Sequence, residues 1–234
     1  MSKVRRSVRA AMATLLAVAG TAALPGAVHA AHPNWLTTIA VTESGSHVLG
    51  NPDAGVKVTE WVSYTCSHCA HFQRASEAPL RLAYVQPGKV SVEVRHLVRD
   101  PVDLTVAMLA NCGDPKKFFA NHHLFLQTQD TWLKAASRAG AAQQQRWANG
   151  PMAGRFRAIA SDLGLFAIME RRGYTRADAD RCLTDEAMTR RLVAERQAAG
   201  EQGVQGTPSF LLNGALLDDT HDWPGLEAAI KARL

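Results

Sequence analysis

Two of the four cysteines of the chain are separated by only two residues, in the segment Cys66-Ser67-His68-Cys69. Cysteines at this spacing on the first turn of a helix bring their sulfurs close enough to form a disulfide. The first sulfur then lies beside free N–H groups and the positive end of the helix dipole, which favour a thiolate over a thiol. His68 adds a donor or a positive charge at the same place. The spacing therefore indicates redox chemistry at Cys66.

The same motif could also attach haem, bind a metal or form an inert bridge. A haem-attachment sequence has His directly after its second Cys, whereas Ala70 stands there. A zinc site needs a second close pair of ligands, which Cys112 and Cys182 do not provide. His68 and His71 would have to complete such a site, although one helix would not aim four ligands inward. We expect a redox pair with no metal and no cofactor, and keep a metal site or an inert bridge as alternatives.

The motif lies between two predicted strands. Lys57–Tyr64 is rich in Val and aromatic residues, and Lys89–Val98 alternates Val with polar residues, as strands do. Between them, His68–Tyr84 has the apolar spacing of a helix, with a kink expected at Pro79. The order strand, helix, strand favours a βαβ unit with the cysteines where the first strand passes into the helix.

From residue 101 to about 200 the pattern is helical, and strand signals return only afterwards. The segments with helical spacing in this block are Leu104–Leu109, Phe118–Leu126, Phe156–Leu165 and Met188–Ala198. A hairpin follows, with strands at Ser209–Leu212 and Ala215–Leu217 around an Asn213-Gly214 turn. Trp223–Leu234 closes the chain as an amphipathic helix. The sequence predicts one α/β sheet interrupted by a helical insertion.

The first thirty residues have the plan of a secretory signal peptide. Four basic residues precede the apolar run Ala10–Leu24, and Val28-His29-Ala30 offers a cleavage site. About 15 apolar residues are short of the roughly 20 that span a bilayer. We therefore expect export to the periplasm with cleavage near Ala30, and leave the export route open between the general and the twin-arginine pathways.

Cleavage would change the charge of the protein. The full chain has 26 Lys and Arg against 21 Asp and Glu. Removing the four basic residues of the signal leaves 22 against 21, a net charge of about +1. The basic character is therefore a targeting feature and gives no support to nucleic-acid binding.

Two separated segments resemble the DsbA family of thiol:disulfide oxidoreductases. They are Glu60–Cys69 (EWVSYTCSHC, with Glu60 first) and Gly203–Gly214 (GVQGTPSFLLNG). The helical block falls where that family has an insertion. The resemblance implies a thioredoxin fold with an inserted helical domain. Its parts would be residues 31–100, a helical insertion at 101–200, and 201–234 with the cis-proline loop.

The resemblance implies roles for individual residues. Cys66 would be the exposed sulfur that bonds to substrate, and Cys69 the buried one. Thr207-Pro208 matches the cis-proline loop that binds substrate through its main chain. Glu60 matches a buried acid that handles the proton of Cys69. The alternatives are an ordinary loop proline at Pro208 and a solvated strand residue at Glu60.

Three further expectations concern residues around this site. The family often has Pro where this chain has Ser67, so the oxidant is expected to be weaker than its best-known relatives. Some relatives have a second, structural disulfide, which favours a Cys112–Cys182 bridge over two separate buried thiols. The pair His122-His123 is expected at the surface of its helix rather than at a metal.

The function implied is a periplasmic thiol oxidant that gives the Cys66–Cys69 disulfide to reduced exported polypeptides. A quinone-linked membrane oxidase of the DsbB type would reoxidise it, and a monomer is expected. One rival is a disulfide isomerase or reductase, which usually has an N-terminal dimerisation domain; about twenty-five residues between the cleavage site and Lys57 are too few for one. The other rival is a peptide- or metal-binding module without catalysis.

Overall fold

A computed structural model describes residues 33–234, and the predicted signal segment 1–30 lies outside the described residues. Residues 34–234 form one folded unit. Within the described part of the chain, no helix is both long enough and apolar enough to cross a bilayer.

The sheet has six strands. They are β1 (Ile39–Val41), β2 (His47–Gly50), β3 (Val56–Val62), β4 (Val90–His96), β5 (Ser209–Leu212) and β6 (Ala215–Leu216). Their order across the sheet is β1-β2-β4-β3-β5-β6. β3 and β4 run parallel, because a helix connects them, and the other neighbours are antiparallel. β3 is hydrogen-bonded on both sides, so the strand that leads to Cys66 is central and rigid.

Ten α-helices surround this sheet in the described residues. They are α1 (Ser67–Pro79), α2 (Pro101–Ala110), α3 (Phe118–Gln127), α4 (Gln129–Ser137), α5 (Ala141–Ala148), α6 (Met152–Asp162), α7 (Leu165–Arg171), α8 (Arg176–Leu183), α9 (Glu186–Glu201) and α10 (Trp223–Lys231). Helices α2 to α9 all lie between β4 and β5 in the chain, at the predicted insertion. The short helices α4, α5, α7 and α8 and the two N-terminal strands β1 and β2 were not predicted from the sequence.

The helix after the motif changes form at its proline. α1 ends at Pro79, and residues Leu80–Val85 continue as a π-helical segment. The N–H of Gln86 bonds to the carbonyl of Arg81, five residues back. Pro79 has no N–H to give to the usual partner four residues back, and a wider turn beyond it keeps the chain helical. At Pro79, where a kink was expected, the α-helix changes into a π-helix.

The β5–β6 hairpin holds the Thr207-Pro208 segment against the central strand. Asn213 and Gly214 have φ angles of 52° and 83°, as a two-residue hairpin turn requires. The Asn213 Oδ1 accepts from the N–H of Lys57 at 2.7 Å, and its Nδ2 donates to the carbonyl of Gly55 at 3.2 Å. The turn residue thus fastens the hairpin to the start of β3.

Two hydrophobic clusters meet at α1. Cys69 belongs to the larger one, which the helical insertion dominates and which includes Phe118 and Trp132. Phe72, one turn later, belongs to a second cluster between the sheet and α10, where it contacts Phe210. The insertion and the sheet therefore share α1, and the cysteine motif sits at their boundary.

A disulfide joins Cys112 and Cys182, the two cysteines outside the motif. It connects the end of α2 to α8 across seventy residues of sequence, with the Cα atoms 5.5 Å apart. Cys112 is packed in the larger cluster, so the bridge fastens two helices of the insertion to each other.

Replacing Cys112 and Cys182 together with alanine is expected to lower the free energy of unfolding by about 4 kcal/mol, because the unfolded chain regains the freedom of a long loop. Urea unfolding measures the change, in a background with serine at Cys66 and Cys69 so that no other disulfide forms. Equal unfolding free energies with and without the pair would show that the bridge does not stabilise the fold.

Candidate active site

Cys66 lies at the junction of β3 and α1, as the residue just before the first helical one. Its side chain is 5 % exposed and Cys69 is fully buried, whereas Ser67 and His68 are exposed. Both cysteines are thiols in this structure. The Cys66 Sγ lies 3.1 Å from the main-chain oxygen of Thr207. Of the two sulfurs, Cys66 is thus the one an incoming thiol can reach.

The surroundings of the two sulfurs separate their acidities. The pKa of Cys66 is lowered to about 4, first by a hydrogen bond from the Cys69 thiol and further by the Thr207 side chain and the N–H groups of Cys69 and His68. Burial raises the pKa of Cys69 well above its usual range, and its hydrogen bond to Cys66 raises it further. At neutral pH the reduced site holds a thiolate at Cys66 and a thiol at Cys69. His68 contributes here through its main-chain N–H.

The Thr207-Pro208 segment faces the sulfurs across the site. Its peptide bond is cis. Pro208 is buried, and its carbonyl oxygen lies 2.8 Å from the Nδ1 of His221. The Thr207 hydroxyl is buried and has no hydrogen-bond partner of normal geometry among residues 33–234. The Thr207 side chain nevertheless lowers the pKa of Cys66 and offsets a small part of the rise in the pKa of Cys69.

Replacing Thr207 with valine is expected to raise the pKa of the Cys66 thiol by on the order of one unit, which is the net worth of one hydrogen bond. Thr207→Ser keeps the hydroxyl and should titrate as the wild type does. Thiolate absorbance near 240 nm, followed against pH in the reduced protein, measures both. A valine variant that titrates like the serine variant would exclude a role for the hydroxyl.

Glu60 lies in the middle of β3 and is 3 % exposed. Its pKa is raised to about 8, mainly by burial and then by the negative charge of Glu77. Its Oε1 has no hydrogen-bond partner in the described residues. A cavity of about 30 Å³ opens beside it, with Gln73, Glu77 and His122 also in its wall. That volume is large enough for one water molecule, which can accept or donate a proton.

No hydrogen bond joins Glu60 to Cys69 directly. Gln73, which lines the cavity, is one helical turn beyond Cys69 on α1, so the cavity begins one turn below the buried sulfur. Cys69 itself is not in the cavity wall, so the structure places Glu60 and the cavity one helical turn from the buried sulfur without a direct contact. Glu60 is buried, and the solvated alternative for it is wrong.

Replacing Glu60 with glutamine is expected to stabilise the protein and slow its chemistry. The pKa of Glu60 in the folded protein lies above its unfolded value of 4.5, so the carboxyl ionises more readily in the unfolded chain. The folded state therefore loses stability relative to the unfolded state as pH rises from 4.5 to 8. At pH 7 the substitution should raise the free energy of unfolding by on the order of 3 kcal/mol, with no gain at pH 4.5. Urea unfolding at the two pH values tests this.

The same variant should exchange disulfides about tenfold more slowly near neutrality, since proton transfer through a positioned acid contributes at least that much. Stopped-flow oxidation of a dithiol substrate measures the rate. If the variant equals the wild type in rate and in stability at both pH values, Glu60 has no role in the active site.

A surface position was expected for both residues of the His122-His123 pair, and the structure contradicts it for His122. His123 is partly exposed, but His122 is 2 % exposed, so a surface position is wrong for it. The Tyr64 hydroxyl lies 3.0 Å from its Nδ1, and the Oε1 of Gln73 lies 3.2 Å from its Nε2. Burial lowers its pKa to about 3, so the ring is neutral. α3 packs against α1, and that contact turns one His of the pair inward.

Two further residues hold the loop before Cys66, and sequence reasoning missed both. The Nε2 of Gln129 donates to the carbonyls of Tyr64 and Cys66, at 2.6 and 2.8 Å. Asp103 accepts from the N–H of Tyr64 at 2.7 Å. Both side chains are buried. Asp103 stands near the start of a predicted helix, but nothing in the sequence connects it or Gln129 with a loop about forty and sixty residues away.

A sheet with a parallel central pair, a dithiol at the start of the connecting helix and a cis-proline loop facing it define a thioredoxin-fold dithiol protein. A family model described as Thioredoxin matches residues 42–232. The chain belongs to this family. The expected fold class is thereby confirmed.

Individual relatives agree with this placement. A solved protein-disulfide isomerase from Novosphingobium aromaticivorans is 48 % identical, with a TM-score of 0.77, and the match covers 81 % of this chain and 97 % of that one. The α-DsbA1 of Wolbachia pipientis is 18 % identical with a TM-score of 0.65 over 82 % of this chain and 92 % of its own, and shows the fold alone. A Rickettsia typhi protein, provisionally named a protein-disulfide oxidoreductase, is 29 % identical over 74 % of this chain. The chain spans 56 % of that curated relative.

Proposed function

We propose that this protein is a dithiol oxidase that donates the Cys66–Cys69 disulfide to folding polypeptides. The observation that carries the proposal is the placement of Cys66 at a helix N-terminus, facing the Thr207-Pro208 loop, with Cys69 buried behind it. Both cysteines are buried, but only Cys66 keeps any exposed surface, so substrate reaches this sulfur first. The helix N-terminus stabilises its thiolate when the disulfide has been given away.

The exchange proceeds in two steps. A substrate thiolate attacks the Sγ of oxidised Cys66, the Cys66–Cys69 bond breaks, and Cys69 leaves with the electron pair. Because the pKa of Cys69 is raised, its sulfur then takes up a proton, which protonated Glu60 could supply through water. A second substrate thiolate attacks the substrate sulfur of the mixed disulfide and releases Cys66 as a thiolate. The substrate is oxidised by two electrons and the protein is reduced by two.

The proposed location is the periplasm, after removal of residues 1–30, and the proposed reoxidant is a DsbB-like, quinone-linked membrane oxidase. The charged and apolar pattern of that segment supports export. A disulfide at Cys112–Cys182 also suits an oxidising compartment. Cell fractionation and the mass of the mature protein test the location. A cytosolic protein that retains its first residues would contradict it.

A disulfide isomerase is the second candidate, because the 48 % identical relative from Novosphingobium is described as a protein-disulfide isomerase. An isomerase works in its reduced form and rearranges wrong pairs, whereas an oxidase works in its oxidised form and makes new ones. The low pKa of Cys66 favours the reduced protein and so makes its disulfide easier to give away.

The deciding experiment gives the purified protein two substrates. One is a reduced two-cysteine polypeptide offered to the oxidised protein, and the other is a polypeptide with scrambled disulfides offered to the reduced protein. An oxidase should convert the first stoichiometrically and rearrange the second slowly. Rapid rearrangement with little net oxidation would replace the proposal by isomerase function.

A further inference from the structure

An open apolar groove runs along the helical insertion from the residue before Cys66, and nothing in the exchange mechanism uses it. Its first section, of about 500 Å³, begins at Thr65 and is lined by Val102, Leu133, Trp147 and Ile159. Its second section is lined by Met152, Phe156 and Val193. The two sections share Asp100, Pro101 and Arg155, so they form one path, named here the helical groove.

The walls of the helical groove are apolar and open to solvent. Among residues 33–234, five large hydrophobic side chains are strongly exposed, and Met152 (47 %) and Val193 (50 %) are two of them. Both line the second section. Apolar side chains gathered along a groove, rather than scattered singly, mark a binding surface.

The second section also has a positive rim. Arg99, Arg155 and Arg196 line it, and in the described residues none of them forms an ion pair with a carboxylate. The one carboxylate in its wall, Asp100, accepts from the Thr65 hydroxyl at 2.8 Å and from the N–H of Asp103 at 2.9 Å. The second section thus has three guanidinium groups and only one carboxylate, which is already hydrogen-bonded. This charge balance favours a ligand with negative charge.

We propose that the helical groove binds an extended, apolar segment with acidic residues in the polypeptide that is bonded to Cys66. This inference rests on the proposed oxidase function and names its substrate class. A chain joined to Cys66 passes Thr65 at once, and the groove is continuous from there, so the segment next to the reacting cysteine enters the first section. Its apolar side chains contact Leu133 and Trp147, and its carboxylates reach Arg155 and Arg196 further along.

The test uses two reduced peptides with the same cysteines and the same apolar residues, one with Asp and Glu and the other with Lys in their place. Arg196→Glu reverses a rim charge on a side chain that makes no hydrogen bond in the described structure. Arg171→Glu makes the same change on α7, outside the groove. Val193→Ser removes an apolar wall residue that is 50 % exposed, and Leu82→Ser removes a similarly exposed one (59 %) elsewhere.

With the acidic peptide, Arg196→Glu is expected to lower kcat/KM about fivefold while leaving the basic peptide equal or faster, because rim charges act mainly on association. Val193→Ser should slow both peptides about threefold, since apolar contact area is lost. Arg171→Glu and Leu82→Ser should change neither. Equal effects of the two arginine variants, or no effect of Val193→Ser, would overturn the proposal.

Oxidation of dithiothreitol separates this inference from the function on which it rests. A small dithiol needs no groove, so all four variants should oxidise it at the wild-type rate. If the wild-type protein does not oxidise dithiothreitol, the proposed oxidase function is wrong. If it succeeds but the variants impair only reoxidation by membranes, the groove binds the membrane partner, and the substrate assignment is overturned.

Discussion

Replacing Cys66 with serine is expected to reduce thiol–disulfide exchange to the uncatalysed rate. Cys69 is fully buried, and Cys112 and Cys182 are bonded to each other, so no other sulfur in the described residues can receive the substrate thiolate. A serine hydroxyl cannot form the mixed disulfide and does not ionise near neutrality. Oxidation of a two-cysteine peptide by pre-oxidised protein, quantified by mass spectrometry, measures the loss.

Cys69→Ala is the matched variant. It leaves Cys66 able to form a mixed disulfide but removes the sulfur that would resolve it, so a covalent adduct with substrate should accumulate. Urea unfolding controls for the fold, because a single cooperative transition shows that the serine variant is still folded. A fully active, folded Cys66→Ser protein would move the chemistry to another site.

The sequence was sufficient wherever the chemistry depended on neighbours along the chain. Cys66 and Cys69 are three residues apart, and a strand pattern before them and a helix pattern after them locate both sulfurs. The Asn213-Gly214 turn is equally local, since only residues that tolerate positive φ fit it. These features come from backbone geometry that a few adjacent residues determine, so pattern and spacing were enough.

The supporting residues could not be predicted, because they come from distant parts of the chain. Gln129 reaches the loop before Cys66 from α4, and His122 reaches Tyr64 from α3. In the sequence His122 is a polar residue in a predicted helix, which is typical of a solvated face, and Gln129 lies outside the predicted helical segments. Which face is buried depends on how the helices of the insertion cross α1, and that depends on the whole core.

The short strands β1 and β2 were missed for a related reason. Ile39–Val41 and His47–Gly50 are only three and four residues long, too short for a clear alternating pattern. The burial of His47 comes from stacking on Phe118, with the ring centroids 4.0 Å apart. The partner ring lies on α3, so the composition of the strand alone could not show that it is buried.

The acidity of Cys66 predicts how the stability of the reduced protein depends on pH. The pKa is held at about 4 in the folded protein, below the unfolded value of about 8.5. The thiolate therefore stabilises the reduced fold fully above the unfolded pKa. That contribution falls by at most about 1.4 kcal/mol per pH unit as pH falls toward 4, less where solvent screens the sulfur. The oxidised protein has no thiol at this site, so urea unfolding of the two redox forms isolates the contribution.

The pH dependence of the reduction potential should show how many protons the two reduced cysteines hold. Above pH 4 the reduced site holds one proton for two electrons, since Cys66 is a thiolate and Cys69 a thiol. The potential should therefore fall by about 30 mV per pH unit at neutral pH and by about 59 mV per unit below pH 4, where both sulfurs are protonated. Equilibration with dithiol buffers from pH 3 to 8 measures it, and Glu60→Gln removes the neighbouring titration as a control. A slope of about 59 mV per unit through neutrality would mean that Cys66 is a thiol there, and the driving force proposed for oxidation would be absent.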